Sequence, residues 1–272
     1  MAADSLVVAI LLGILQGLFE WLPISSEGNV SLALAALGAD PAVAVRYALS
    51  LHLGTALAAT AYYRTEIVAL LRELGAWRPA DGLFSDSTDL GFLVVATLIS
   101  GAVGVTVYVL LVDIVSALAG GLFIAAIGAL LVVTGVLQRA ADTVDVGRRA
   151  SPGAVDAVLV GVGQGLAILP GVSRSGTTIS VLLLRGYEGE RSFRLSFLLS
   201  IPAALGAGVL AWIDAGGLAL GPSLVVALGV SAVVGYATIG ALMRAVRRVA
   251  FWAVCVVLGS LALAGGVLVF LL

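Results

Sequence analysis

Apolar residues run along this chain in long, nearly unbroken blocks, with charges gathered at the block ends. Six blocks are long enough to cross a bilayer, at about 43–63, 90–112, 115–137, 192–213, 222–243 and 249–272. At a rise of ~1.5 Å per helical residue, ~20 apolar residues cover ~30 Å of hydrocarbon. Two further blocks are interrupted. The first, Ser5 to Ile24, carries Gln16 and Glu20 and stops at Pro23-Ile24-Ser25-Ser26-Glu27-Gly28-Asn29; the apolar stretch that follows, Val30 to Leu37, is too short to span. The second stops at Pro170-Gly171 and passes through Val172-Ser173-Arg174-Ser175-Gly176-Thr177-Thr178 before apolar residues resume at Ile179. Proline removes a backbone donor and clashes with a continuing helix, so each block predicts two short helices joined by a break. A hairpin that enters and leaves by one face fits both. A signal peptide is the other reading of the first block, but a basic leader segment is missing and Gln16 and Glu20 interrupt the apolar stretch.

The two breaks repeat. A constant shift of 148 residues aligns Gly13 with Gly161, Gln16 with Gln164, Gly17 with Gly165, Leu18 with Leu166, Ser25 with Ser173 and Gly28 with Gly176. Three spans lie between the hairpins, an odd number, so the halves are expected to be inverted. The expected fold is therefore an all-α integral membrane protein with six transmembrane helices plus two re-entrant helical hairpins in an inverted-topology repeat. It forms a single domain over 1–272, with pseudo-repeat 1 at about 5–137 (hairpin 5–37) and pseudo-repeat 2 at about 153–272 (hairpin 153–184). Arginines cluster in the joints after the first, third and fifth spans and before the fourth, whereas the joints near Asp113 and at 214–221 carry none. The positive-inside rule then makes this a multi-pass plasma-membrane protein with both termini extracytoplasmic. Tyr62, Tyr63 and Trp77 are expected as interfacial anchors.

Composition agrees. Apolar residues make up 61% of the 272 and charged residues 11%, against ~25% charged in soluble domains. The 34 glycines suit close helix packing in lipid. A net charge of -2 gives no case for nucleic acid as a partner, and the single cysteine and single histidine leave no disulfide, thiolate or His-cluster metal site.

Chemistry gathers at the two breaks, which differ where they align. Glu20 falls opposite Ile168 and Ser26 opposite Arg174, so one hairpin offers a carboxylate and a hydroxyl and the other a guanidinium. Helix N-termini bind anions and arginine forks onto phosphate oxygens, which makes Ser25, Ser173, Ser175, Gly176, Thr177 and Thr178 candidate phosphate-binding residues around Arg174. Gln16 and Glu20 share a helix face four residues apart, with Gly13 and Gly17 permitting close approach of another helix. Ionisable groups inside a membrane are functional by default; a structural ion pair is the plainer alternative. Glu27 and Asn29 border the break without a settled role. Arg46 and His52, in the first span, carry a weaker signal, and His52 is expected to be a packed or hydrogen-bonded polar residue rather than a catalyst.

The motifs Gln16-x-x-x-Glu20, Leu22-Pro23-Ile24-Ser25-Ser26 and Pro170-Gly171-Val172-Ser173-Arg174-Ser175-Gly176-Thr177-Thr178 resemble the undecaprenyl-diphosphatase (bacitracin-resistance) family, over essentially the whole chain. That resemblance implies hydrolysis of a polyprenyl diphosphate to the monophosphate plus phosphate, recycling a lipid carrier of envelope glycan synthesis. It implies a divalent metal ion, Mg or Ca, and a site opening to the outer face. It assigns Glu20, Ser26 and Arg174 as catalytic, with Ser173 and Thr178 at functional positions. Gln16 and Glu20 are candidate metal ligands, and either Ser26 or a metal-bound water would attack. The chain departs from the pattern at Asn29, where bacterial members usually carry histidine. That departure argues against an indispensable imidazole there. Expected partners are the polyprenyl diphosphate and membrane lipid, with a homodimer left open. A transporter of polyprenyl phosphate or another anion would need the same midplane anion site, and a purely structural scaffold has little in its favour.

Overall fold

A computed structural model describes residues 5–78, 84, 89–117, 120–143, 149, 151–214, 221–246 and 249–272, with the backbone alone at 111–117. Among these residues the chain forms eleven helices: α1 Leu6–Phe19, α2 Ser26–Ala36, α3 Pro41–Tyr62, α4 Arg64–Ala76, α5 Leu90–Ala117, α6 Gly120–Ala141, α7 Ala154–Leu166, α8 Arg174–Leu184, α9 Gly189–Asp214, α10 Pro222–Val246 and α11 Phe251–Leu271. Six of them, α3, α5, α6, α9, α10 and α11, are long and apolar enough to cross a membrane, as expected. At 13 and 14 residues, α7 and α1 would reach only about 20 Å along their axes.

Local sequence sets the boundaries. Asp40 caps α3, its carboxylate accepting from the Ala42 and Val43 amides, and Pro41 sits where a missing N–H costs nothing. Two expectations about joints change. The joint placed near Asp113 lies inside α5, because Ile114 to Ala117 contain no residue that breaks a helix. The polar stretch after Tyr63 contains α4, an amphipathic helix with Ile67 and Leu70 packed on the core and Leu71 and Leu74 exposed. Tyr63 is buried and donates its hydroxyl to Met243 Sδ, so only Tyr62 of that pair presents an exposed ring.

The helices pair across the halves. α1, α2 and α3 begin 148 residues before α7, α8 and α9. Each hairpin's first helix lies against a span from the other half: α1 on α10 and α7 on α5, while α3 packs on α9 and α6 on α11. Glycine makes these approaches. A Cβ at Gly13 would stand 2.6 Å from the Ala227 carbonyl oxygen, and one at Gly161 would stand 2.8 Å from that of Ala96. Between α6 and α11, Gly128 and Gly259 bring the two backbones together in the same way.

At the arginine-rich end, the ion pairs are structural. Buried Asp156 in the first turn of α7 accepts from Arg185 Nε at 2.6 Å, Arg149 Nη1 at 3.2 Å and the Tyr187 hydroxyl at 2.7 Å. Burial, aided by Asp156, pushes the Tyr187 phenol up to about 12. Asp89 likewise accepts from Arg191 and Arg194, and Arg46 pairs with Asp214 at the opposite end.

Candidate active site

The site is built where the two breaks meet. After α1, Pro23 ends the helical path and Ser25 adopts φ 60°, the one left-handed non-glycine residue among those described. That turn points Ser25 Oγ back to accept from the Gly28 amide at 3.2 Å, capping α2, and also from the Gly171 amide at 3.1 Å in the other hairpin. Gly28 and Gly171 touch: a Cβ on Gly28 would lie 2.7 Å from the Gly171 nitrogen. The break-to-break contact thus falls on Gly171, because Gly176 is already inside α8, against Ser173 and Gln138. Ser173 caps α8 by accepting from the Gly176 amide at 3.1 Å. Asn29 donates from its side chain to the Ile24 and Ser25 carbonyls at 2.8 and 2.9 Å, tying α2 back to the break; the Ser25 carbonyl also accepts from the Asn29 amide at 3.1 Å.

Glu20 is the hub. Its Oε1 meets Arg174 Nη2 at 2.8 Å, across the two hairpins. Its Oε2 accepts from Ser26 Oγ at 2.8 Å and from Gln16 Nε2 at 3.0 Å, and faces His52 Nε2 at 3.4 Å. Arg174 spreads further, donating from Nη1 to the Ser196 carbonyl at 3.3 Å and lying over the Phe197 ring. The carboxylate is almost wholly buried, at 5% side-chain exposure, whereas the guanidinium keeps 15%. A hydroxyl hydrogen-bonded to a carboxylate, beside a guanidinium with unused donors, is an arrangement able to support phosphoryl transfer.

The other candidate residues divide. Ser173 and Ser175 are buried at the start of α8, and Ser175 Oγ lies 3.4 Å from the Leu22 carbonyl oxygen. Thr178 Oγ1 meets Ser196 Oγ at 2.6 Å and the Arg174 carbonyl at 2.9 Å, so it fastens the helix that carries Arg174. Gly176 and Thr177 are buried on the same helix. Glu27 is buried with Oε1 unpartnered among the described residues, and so is Gln16 Oε1.

His52 is hydrogen-bonded, as expected, but sequence reasoning did not pair it with Glu20 and did not see the supports from α6 and α9. The His52 ring stands between two acceptors, with Nδ1 3.0 Å from the Ala48 carbonyl and Nε2 3.4 Å from Glu20 Oε2. Thr134 on α6 links the Gly171 carbonyl and the Ser173 amide, and Gln138 donates to the Pro23 carbonyl at 2.7 Å. A lone Thr or Gln on the buried side of an apolar span was the available signal.

A cavity of about 190 Å³ opens onto this hub, lined by Glu20, Glu27, His52 and Arg174 at its polar end and by Val105, Ile168 and Leu210 among its apolar walls. A smaller pocket between the breaks is lined by Glu20, Ser25, Ser26, Glu27, Ser173 and Arg174, bringing the N-terminal turns of α2 and α8 to one point.

Residues 9–261 match the family model described as bacitracin resistance protein BacA. A Haloarcula marismortui protein named undecaprenyl-diphosphatase is 58% identical over 271 residues, covering 98% of this chain and 99% of that protein. Proteins of the same name from Methanopyrus kandleri and Methanococcoides burtonii are 41% and 38% identical, with 94% and 95% of this chain covered and 94% and 97% of theirs. With the family model matching from within α1 to the middle of α11, far more than half of the chain, the chain belongs to the BacA bacitracin-resistance family.

Proposed function

We infer that this protein hydrolyses a polyprenyl diphosphate of the undecaprenyl type to its monophosphate and inorganic phosphate. The observation that carries the reading is the Ser26–Glu20–Arg174 chain of contacts, at 2.8 Å for each link, assembled from both hairpins. Arg174 and the amides at the start of α8 hold the terminal phosphoryl group and take up the charge that grows on its oxygens. Ser26 Oγ attacks that phosphorus while its proton passes to Glu20 Oε2; the bridging P–O bond breaks and its electron pair leaves on the lipid monophosphate. Glu20 gives up the proton and takes another from the water that cleaves the phosphoserine, releasing phosphate.

A divalent cation, Mg or Ca, suits the charge balance. The polar end of the cavity presents two carboxylates against one guanidinium, and a diphosphate adds further negative charge. When bound, the ion would neutralise diphosphate oxygens. Glu27 has a free oxygen to offer it at the cavity, whereas Gln16, though its Oε1 is also unpartnered, lies outside the cavity lining, and Glu20 already has an arginine at Oε1 and three groups at Oε2.

The short hairpins are read as re-entrant, both termini as extracytoplasmic, and the cavity as open to the outer face. Support comes from the cavity lining, which follows the Leu210 end of α9 and the Val105 half of α5, away from the arginine clusters. The apolar walls receive the isoprenoid tail. Phosphate release by the purified protein in detergent, assayed over polyprenyl diphosphates of several lengths with Mg or Ca added, tests the activity. No release with any of them would overturn it and return the anion site to a carrier.

A further inference from the structure

The hydrolytic steps use Ser26, Glu20 and Arg174 and give Glu27 no bond-making or proton-transfer part. Its residue is 4% exposed, its Oε1 has no partner, and it lines both the large cavity and the small pocket between the breaks. A buried carboxylate oxygen without a hydrogen bond is costly to keep. The positive end of α2 relieves part of that cost, since Glu27 sits in its first turn, but gives Oε1 no partner.

We propose that Glu27 is the carboxylate through which this protein holds a divalent cation on the diphosphate of its substrate. This deepens the hydrolase reading and rests on it. Three observations converge. Glu20 is the other carboxylate at the cavity, and it is held by Arg174, Ser26, Gln16 and His52. Gln16 spends its amide nitrogen on Glu20, contributes no charge and lines neither the cavity nor the pocket, so its free oxygen does not replace a carboxylate there. Among the described residues, no three His, Cys, Asp or Glu side chains form a cage for a metal. Magnesium is commonly held without such a cage, by one or two carboxylates together with substrate phosphates and water. An unpaired carboxylate facing the phosphate-binding helix ends, beside a carboxylate already saturated, fits that mode.

The test measures cation binding directly. Mn²⁺ is titrated into full-length protein in detergent with a saturating prenyl methylenediphosphonate, which cannot be hydrolysed, and free Mn²⁺ is read by electron paramagnetic resonance. Glu27→Gln keeps the size and removes the charge, and its affinity for Mn²⁺ should fall by about tenfold or more, as loss of a ligand or its support does at metal sites. Glu27→Asp should lie between the two. Should Glu27→Gln not fold, the Asp variant is read by the same rule. Mn²⁺ affinity equal to wild type in either folded variant overturns the proposal. The outcome is separable from that of the hydrolase reading: wild-type protein that binds Mn²⁺ through Glu27 yet releases no phosphate sinks the activity and leaves the cation site standing.

Discussion

Replacing Arg174 with lysine separates charge from geometry. The guanidinium meets Glu20 Oε1 at 2.8 Å with one nitrogen and the Ser196 carbonyl at 3.3 Å with another, while its face lies over Phe197. A lysine ammonium is a point charge that can answer Glu20 but cannot fork. It should therefore preserve most of the stability of the ion pair and lose the donors needed at the phosphoryl oxygens. Losing one such donor costs ~2.7–4 kcal/mol, or ~10²–10³-fold in turnover. Arg174→Ala should lose the same activity and, in addition, leave the 5%-exposed Glu20 carboxylate without its counter-charge, a defect worth about 3–5 kcal/mol of stability. Phosphate release gives the first quantity, and the fraction of protein still monodisperse after heating gives the second. The expected pattern is two inactive variants with only the alanine thermally weakened. Lysine restoring turnover to within about tenfold of wild type, a loss below ~1.4 kcal/mol, would refute the forked-donor argument.

Ser26→Ala should abolish turnover and any acid-stable labelling of the protein by ³²P-diphosphate substrate; substantial steady-state release would instead point to water as the attacking group. Asn29→Ala removes the donor to two carbonyls in the first break and should cost about 1–2 kcal/mol in a thermal melt, with a smaller fall in turnover than the Arg174 or Ser26 variants. Gly13→Val would drive a branched side chain into the Ala227 carbonyl and Val230, separating α1 from α10; melting should drop by the equivalent of ~1–3 kcal/mol or more. Gly75→Ala, with open space around it on α4, should melt no lower than wild type because alanine favours the helix by ~1 kcal/mol.

The spans and the two breaks were legible because each rests on local composition: apolar length for the first, Pro and Gly beside hydroxyls for the second. The repeat was legible because its register survives unchanged through the starts of three successive helices. α4 was hidden by Arg64, Glu66, Arg72 and Glu73, whose density reads as a joint although Ile67, Leu70 and Leu74 keep a helical period. His52 could not be placed because its significance depends on Glu20, which lies 32 residues earlier and reaches it through the packing of α1 on α3. The same holds for Gln138, whose bond to the Pro23 carbonyl joins positions 115 residues apart. Composition marks which side chains are costly to bury; only tertiary packing says which of them share a cost.

The exchange of helices between halves has a consequence in time. α1, too short to cross a bilayer alone, finds its close-packed partner only in α10, and Phe19 precedes Pro222 by roughly 200 residues. At ~5–20 residues per second of synthesis, α1 is made ~10–40 s before α10 exists. For most of that interval Gln16 and Glu20 have neither Arg174 nor the α10 groove to shelter them, and Arg174 itself is made before α10. The chain therefore has to be held at the membrane with the Gln16–Glu20 turn uncovered, and the site appears late, only once the second half has been inserted around the first.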